Sequence, residues 1–244
     1  MKRAGKGLRL ALIILLLAVA AGCGKKKANE IDRIREAGTL QVAIVDTKSR
    51  FTQVEGGTPT GLEPDLSNYI ADAIGVEAKF QVCSRKEALE AVSAGTADIA
   101  LGCISSLGSL SEDYQLTTPY GKGNLYAVSR AGDYILTVGA LSNSILGIDR
   151  NLDEGTRTKL YQAENIQILD YGSAKEGEAA LLDEEIRVYI CYEEQAKLLL
   201  EQPDLQVQNI TNLDPEEFVI VTGKSCQTLA NGMNTLIRQF LEAE

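Results

Sequence analysis

The sequence predicts an α/β protein of two lobes, each a mostly parallel sheet covered by helices. Short apolar runs rich in valine and isoleucine alternate with amphipathic stretches, as strands alternate with covering helices. The order strand, helix, strand, helix, strand, helix occurs twice, in two separate blocks. Two further apolar runs, "NLYAVS" and "EFVIVTG", fit neither block and suit strands that cross between lobes.

In the first block "TLQVAIV", "KFQVC" and "ADIALG" read as strands. Between them, "EPDLSNYIADAIG" places Leu66, Tyr69, Ile70, Ala73 and Ile74 at helical spacing and ends on Gly75. "SRKEALEAVSAG" opens with Ser84 and Glu87 at capping-box spacing and closes on Gly95. In the second block "SILGID", "IQILDY" and "RVYICY" read as strands, and "DEGTRTKLYQA", "AKEGEAALLDE" and "EEQAKLLLEQ" as helices. "CQTLANGMNTLIRQFLEAE" reads as a closing amphipathic helix with Leu229, Met233, Leu236, Ile237 and Phe240 on one face.

The first 22 residues stand apart. Lys2, Arg3, Lys6 and Arg9 precede a run of 12 apolar residues, Leu10 to Ala21, and then Gly22-Cys23. A membrane span takes about 20 apolar residues, so this run suits a signal-peptide core. Gly22-Cys23 resembles the lipobox of bacterial lipoproteins, which implies lipid chains on Cys23 and a bilayer anchor. Residues 23–28 then read as a tether.

The whole chain carries 24 basic and 34 acidic residues, a net charge of −10. Removing the basic leader leaves 20 basic residues against the same 34 acids. Such a chain is unsuited to nucleic acid, whose affinity rests on phosphate neutralisation. With no histidine, a Ser-His-Asp triad, a Cys-His pair and histidine-bearing zinc sites are excluded. Cys83, Cys103, Cys191 and Cys226 are widely spaced, which leaves disulfides or buried thiols open and gives no metal or redox motif. No cofactor is expected.

Several segments then line up with one family. "LQVAIVDTKSRF", "GTPTGLEPDLSNYIADAIGVEAKF", "ALEAVSAGTADIALG", "LTTPYGKG" and "RVYICYEEQAKLLL" resemble the type II, family 3 extracytoplasmic solute-binding proteins of amino-acid ABC transporters. The resemblance implies the periplasmic-binding-protein type II fold: lobe 1 over residues 29–123 plus 218–244, lobe 2 over 124–217, and two hinge strands. It implies a small polar solute held between the lobes at strand carboxyl ends, hinge closure, and delivery to an ABC permease.

The family's ligand positions fall on Asp46 at the end of strand 1, on Gly102, Cys103, Ser105 and Ser106 in the loop after strand 3, and on Glu193 after "RVYICY". Each has a structural alternative. Asp46 also suits a turn, the serines and glycine suit a tight loop, and Glu193 suits the first turn of an exposed helix. Asp65 reads as a helix N-terminal acid. Departures are clear: Leu110 stands where the family's carboxylate-gripping arginine falls, Ser49 or Arg50 and Leu62 replace ligand-stacking aromatics, and Asn151-Leu152 replaces a Gly-Thr turn, with Asp153 placed to cap the next helix. Arg50 and Arg150 are the candidate replacement cations. Two other readings stay open on the same fold: a sensor or interaction lipoprotein that has lost its solute, and a dehydratase-like enzyme using Glu193 or Asp46 as a general acid.

Overall fold

The structure is a computed structural model that describes residues 29–106 and 109–243. The leader, Cys23 and the lysine tether lie outside the described residues. Among the described residues no helix is long and apolar enough to cross a membrane.

The first half opens with α1 (Glu30–Ala37), which the sequence reading did not expect. Asn29 and Asp32 form a capping box at its start, and Gly38 ends it in the left-handed conformation. Next come β1 (Thr39–Ile44), the hairpin β2 (Gln53–Glu55) and β3 (Thr58–Thr60), and α2 (Leu62–Ile74). Then follow β4 (Glu77–Val82), α3 (Arg85–Ala94), β5 (Ile99–Leu101), α4 (Leu110–Asp113) and β6 (Tyr114–Leu116). The Ser84–Glu87 capping box forms as its spacing predicts.

The second half holds β7 (Gly121–Gly123), β8 (Leu125–Arg130), a 3-10 turn at Val138–Leu141, β9 (Ile145–Asp149) and α5 (Glu154–Leu160). It continues with β10 (Gln167–Tyr171), α6 (Ala174–Leu182), β11 (Val188–Tyr192), α7 (Glu193–Leu198) and β12 (Leu205–Asn209). The chain returns through β13 (Glu216–Phe218) and β14 (Val221–Gly223) to α8 (Gln227–Ala243).

Two five-stranded sheets result, ordered β4-β1-β5-β14-β6 and β10-β9-β11-β8-β12. In the first, β1 runs parallel to β4 and β5, while β14 is antiparallel to β5 and β6. In the second, β9 runs parallel to β10 and β11, while β8 is antiparallel to β11 and β12. The two sheets therefore repeat one topology. In each, the antiparallel fourth strand is the one that arrives from the other lobe. The crossing segments β7 and β13 pair with each other, Gly121 opposite Phe218 and Gly123 opposite Glu216, and form the hinge. This is the two-lobe periplasmic-binding-protein architecture that the sequence predicts.

The helices bury the faces their spacing dictates. Leu66, Ile70 and Ile74 of α2 and Leu229, Met233 and Ile237 of α8 are buried. Leu182 ends α6 with 46% exposure, while Gly177 and Leu181 carry the buried face. Arg33 of α1 pairs with the Asp98 carboxylate, whose other oxygen accepts from the Gln41 amide at 2.8 Å, so α1 is tied to the sheet beside β5.

Gly177 lies against Tyr189 of β11, where an added Cβ would come within 2.8 Å of the ring. Alanine in a helix interior is ordinarily better than glycine by about 1 kcal/mol. Here the contact reverses the sign, because a fully buried ring cannot retreat. Gly177→Ala is expected to lower stability by about 1–3 kcal/mol in urea titrations, the cost of overpacking.

Candidate functional site: a closed cleft between the lobes

The carboxyl ends of β1 and β5 in the first lobe face those of β9 and β11 in the second. The loops leaving these strands form the cleft. Its inner cavity is lined from the first lobe by Thr47, Ser49, Phe51 and Cys103, and from the second by Asn151, Tyr192, Glu194 and Gln195. Its volume is ≈ 10 Å³, room for about one water molecule. Outside it, a groove of ≈ 280 Å³ runs past Asp46, Lys48, Asp149 and Arg150, and another of ≈ 310 Å³ past Arg85, Leu110, Arg150 and Arg157.

The floor of the cleft is organised by a residue that the sequence reading did not single out. Glu63, in the first turn of α2, is fully buried. Its Oε1 accepts from the amides of Gly102 at 3.2 Å and Cys103 at 2.7 Å, and from the Tyr120 hydroxyl. Its Oε2 accepts from the Thr52 hydroxyl. The loop after β5 adopts unusual backbone to aim those amides: φ is 140° at Gly102 and 49° at Cys103. An added Cβ at Gly102 would lie 2.4 Å from the Val45 Cβ, so only glycine fits. Burial raises the Glu63 carboxyl above its ordinary value of 4.5, and the hydrogen bonds from Cys103, Thr52, Tyr120 and Gly102 oppose that rise. The signal for Glu63 was present in the spacing: it shares a face with Leu66, Ser67, Ile70 and Ile74, a charge on the apolar stripe.

A second buried carboxylate sits at the hinge. Glu216 accepts from the Asp153 amide at 3.2 Å and the Tyr192 hydroxyl at 2.5 Å. Burial raises the carboxyls of Glu216, Asp149 and Asp153 as well.

Three sets of contacts join the lobes across the cleft. Arg85, at the start of α3, donates to the Cys103 carbonyl at 3.0 Å and the Asn151 carbonyl at 2.8 Å, and stands 3.7 Å from Asp153. Arg50 pairs with Glu194 at 3.1 Å, and its guanidinium lies 4.7 Å from the centre of the Phe51 ring. Phe218 packs edge-on against Phe51 at 5.1 Å and Tyr192 at 5.6 Å. One apolar cluster thereby runs from Ile70 and Leu101 in one lobe to Ile148 and Ile190 in the other.

The sequence-predicted residues take varied places. The Asp46 carboxylate accepts from the Lys48 amide at 3.1 Å, as a turn acid does, and also lines the outer groove. The Gly102 and Cys103 amides point at Glu63. Ser105 is fully buried and bridges to Phe218, and the Ser106 amide donates to the Glu217 carbonyl at 2.8 Å. Glu193 accepts from Lys197 at 2.7 Å and Asn124 at 3.1 Å, contacts that hold its carboxyl below the usual range. Its neighbour Glu194 is the acid that lines the cavity. Arg150 lies at the outer grooves and not at the inner cavity. Asp153 caps α5 through the Gly155 amide at 2.7 Å. Cys83, Cys103, Cys191 and Cys226 are free thiols. Among the described residues no cluster of three or more ligating side chains could hold a metal ion.

Two outcomes follow from the buried acids. Glu63→Ala would orphan four donors and should cost at least about 3 kcal/mol in urea titrations, since each buried unsatisfied group costs about 1–3 kcal/mol. The raised carboxyls of Glu63, Glu216, Asp149 and Asp153 make the folded chain bind protons more readily than the unfolded chain. Their contribution to stability therefore falls as pH rises from their ordinary values through their folded ones. The urea midpoint should be higher at about pH 5.5 than at about pH 8, the difference shrinking in Glu63→Gln.

Comparisons place this geometry among known proteins. The chain is 29% identical over 129 residues to the membrane-bound lytic murein transglycosylase F of Maricaulis maris, covering 50% of this chain and 28% of that protein. It is 25% identical over 176 residues to the L-cystine-binding protein TcyJ of Escherichia coli K12, covering 70% of this chain and 65% of that protein. The chain thus spans less than two thirds of the length of both relatives. In structure it superposes on the amino-acid ABC transporter substrate-binding protein AbpA of Streptococcus pneumoniae, solved bound to L-arginine, with a TM-score of 0.72, covering 87% of this chain and 92% of that one. At 19% identity that likeness is one of fold. The sequence model of one family matches residues 40–242, from β1 to the end of α8, and the chain accordingly belongs to the bacterial extracellular solute-binding proteins, family 3.

Proposed function

We propose that the chain captures a small polar solute, an amino acid or a related molecule, between its two lobes outside the cytoplasm and delivers it to an ABC permease. Binding linked to lobe closure is the mechanism. The observation that carries this reading is the cleft itself: facing strand ends, a paired hinge of β7 and β13, and a cavity at their meeting point. The solute-binding names of relatives such as the cystine-binding protein agree with it. Lobe 1 then comprises residues 29–123 and 218–244 and lobe 2 residues 124–217. Of the candidate ligand positions, Cys103 lines the inner cavity and Asp46 the outer groove, and Glu194 is added by its place in the cavity. Lipid on Cys23 would keep the protein at the membrane surface, where the permease lies.

Glu193 does not suit the role of general acid. A general acid needs a proton to give near the operating pH, whereas Lys197 and Asn124 hold the Glu193 carboxyl ionised. The match to the transglycosylase covers 28% of that enzyme. The sensor reading is favoured by one observation, that the chain's own side chains fill the cleft to ≈ 10 Å³.

Calorimetric titration with a panel of amino acids, amines and other small metabolites should give a dissociation constant on the order of 1 µM for at least one class. Absence of heat across the panel would favour the sensor reading. For the anchor, labelled palmitate should enter the wild-type chain in a bacterial host and not Cys23→Ser; equal labelling of both would refute it.

A further inference from the structure

We propose that the cleft takes a small organic cation with no free carboxylate, a guanidinium or ammonium compound, which displaces the Arg50 side chain from Phe51 and Glu194. The proposal rests on solute capture as the function and names the class of solute.

The groups that would receive a carboxylate are already engaged. Glu63 accepts both amides of the Gly102-Cys103 pair, at 3.2 and 2.7 Å, so an internal carboxylate occupies that nest. The Ser106 amide serves the Glu217 carbonyl at 2.8 Å. Arg85 donates to the carbonyls of Cys103 and Asn151 and does not line the inner cavity. Leu110 offers no charge. A ligand carboxylate entering here would meet, among the described residues that line the cavity, neutral donors but no cationic side chain, and burying a charge without a charged partner costs several kilocalories per mole in general.

What the cavity does offer suits a cation. Among the described residues Glu194 is the one formally charged residue lining it, and its side chain is 23% exposed. Gln195 lines both this cavity and the outer groove, and its Oε1 is buried without a hydrogen-bond partner, an acceptor open to a donor. The aromatic rings of Phe51, Tyr192 and Phe218 supply the apolar walls.

The chain's own Arg50 marks where such a ligand sits. Its guanidinium lies over the Phe51 ring at 4.7 Å and bonds Glu194 at 3.1 Å, a cation–π contact and an ion pair of the kind that recognises organic cations. Its side chain is 66% exposed, so it leaves without disturbing the core. A ligand that enters reproduces both contacts and adds a donor to Gln195.

The test is calorimetric titration of the wild-type chain, Arg50→Ala and Glu194→Gln with two probes. Agmatine carries a guanidinium and an amine; L-arginine carries the same guanidinium with an α-carboxylate. Agmatine should bind the wild type at least about tenfold more tightly than L-arginine, the effect of one unpaired charged group. Removing the internal competitor in Arg50→Ala should tighten agmatine by about tenfold, the worth of one exposed cation–π contact and one rim ion pair. Glu194→Gln should weaken it. Circular dichroism melts of both variants would show that they fold. Tighter binding of L-arginine than of agmatine, or an Arg50→Ala variant no tighter than wild type, overturns the proposal. Binding of neither cation, with heat from a neutral or acidic amino acid, overturns it and leaves solute capture standing. No heat from any solute in wild type or Arg50→Ala defeats both.

Discussion

The cleft depends on one buried carboxylate. Glu63 gathers donors from three separate segments onto a fourth, the first turn of α2: the loop before β2 through Thr52, the exit of β5 through Gly102 and Cys103, and the entry to the hinge through Tyr120. A charge so deeply buried is costly unless it is fully hydrogen-bonded. Four donors offset that cost only if all four segments hold their places. The same requirement explains the left-handed backbone at Cys103 and the obligate glycine at position 102.

Closure is built on this floor from contacts of unequal weight. The rings of Phe51, Phe218 and Tyr192 make the two cores continuous, each edge-to-face pair adding about 0.5–1.5 kcal/mol beyond its burial. The Arg50–Glu194 pair at the rim is exposed on one side and contributes at most about 1 kcal/mol. Arg85 is better buried and bonds carbonyls of both lobes, which fixes the register of one lobe on the other. A clamp closed by its own side chains sets a condition on any solute: it must replace these contacts and not merely fill a void.

The fold was largely legible in the sequence because it rests on local periodicity. The runs Thr39–Val45 and Ile99–Leu101, the capping box at Ser84, and the stripe Leu229–Met233–Ile237 each report their element through neighbours a few residues away. The misses have local causes too. α1 is short and strongly polar, so its capping box at Asn29 carried more signal than its single buried Ile34. β12 alternates half-buried glutamines with Leu205 and Val207, a weak strand pattern. The wiring of the cleft was not legible. Glu193 and Glu194 are adjacent acids at the start of one helix, and only packing decides that the second faces the cavity. Arg85 looked like a helix residue after a cap. Its reach to Asn151 spans 66 positions of sequence and no pattern announces it.

The sequence by itself determined the two α/β blocks, the crossing strands, the acidic balance, the missing histidine and the absence of an arginine at position 110. These follow from composition and from periods of two and 3.6 residues, which the chain carries in any environment. The tertiary structure alone decided which polar groups of the cleft remain available. Glu63 takes the amides that the family resemblance assigned to a ligand, and Arg50 takes the face of Phe51. Both outcomes depend on distances between segments far apart in the chain. A hydrogen bond or an ion pair is won by the group that the fold brings within about 3 Å, and sequence order does not set that distance.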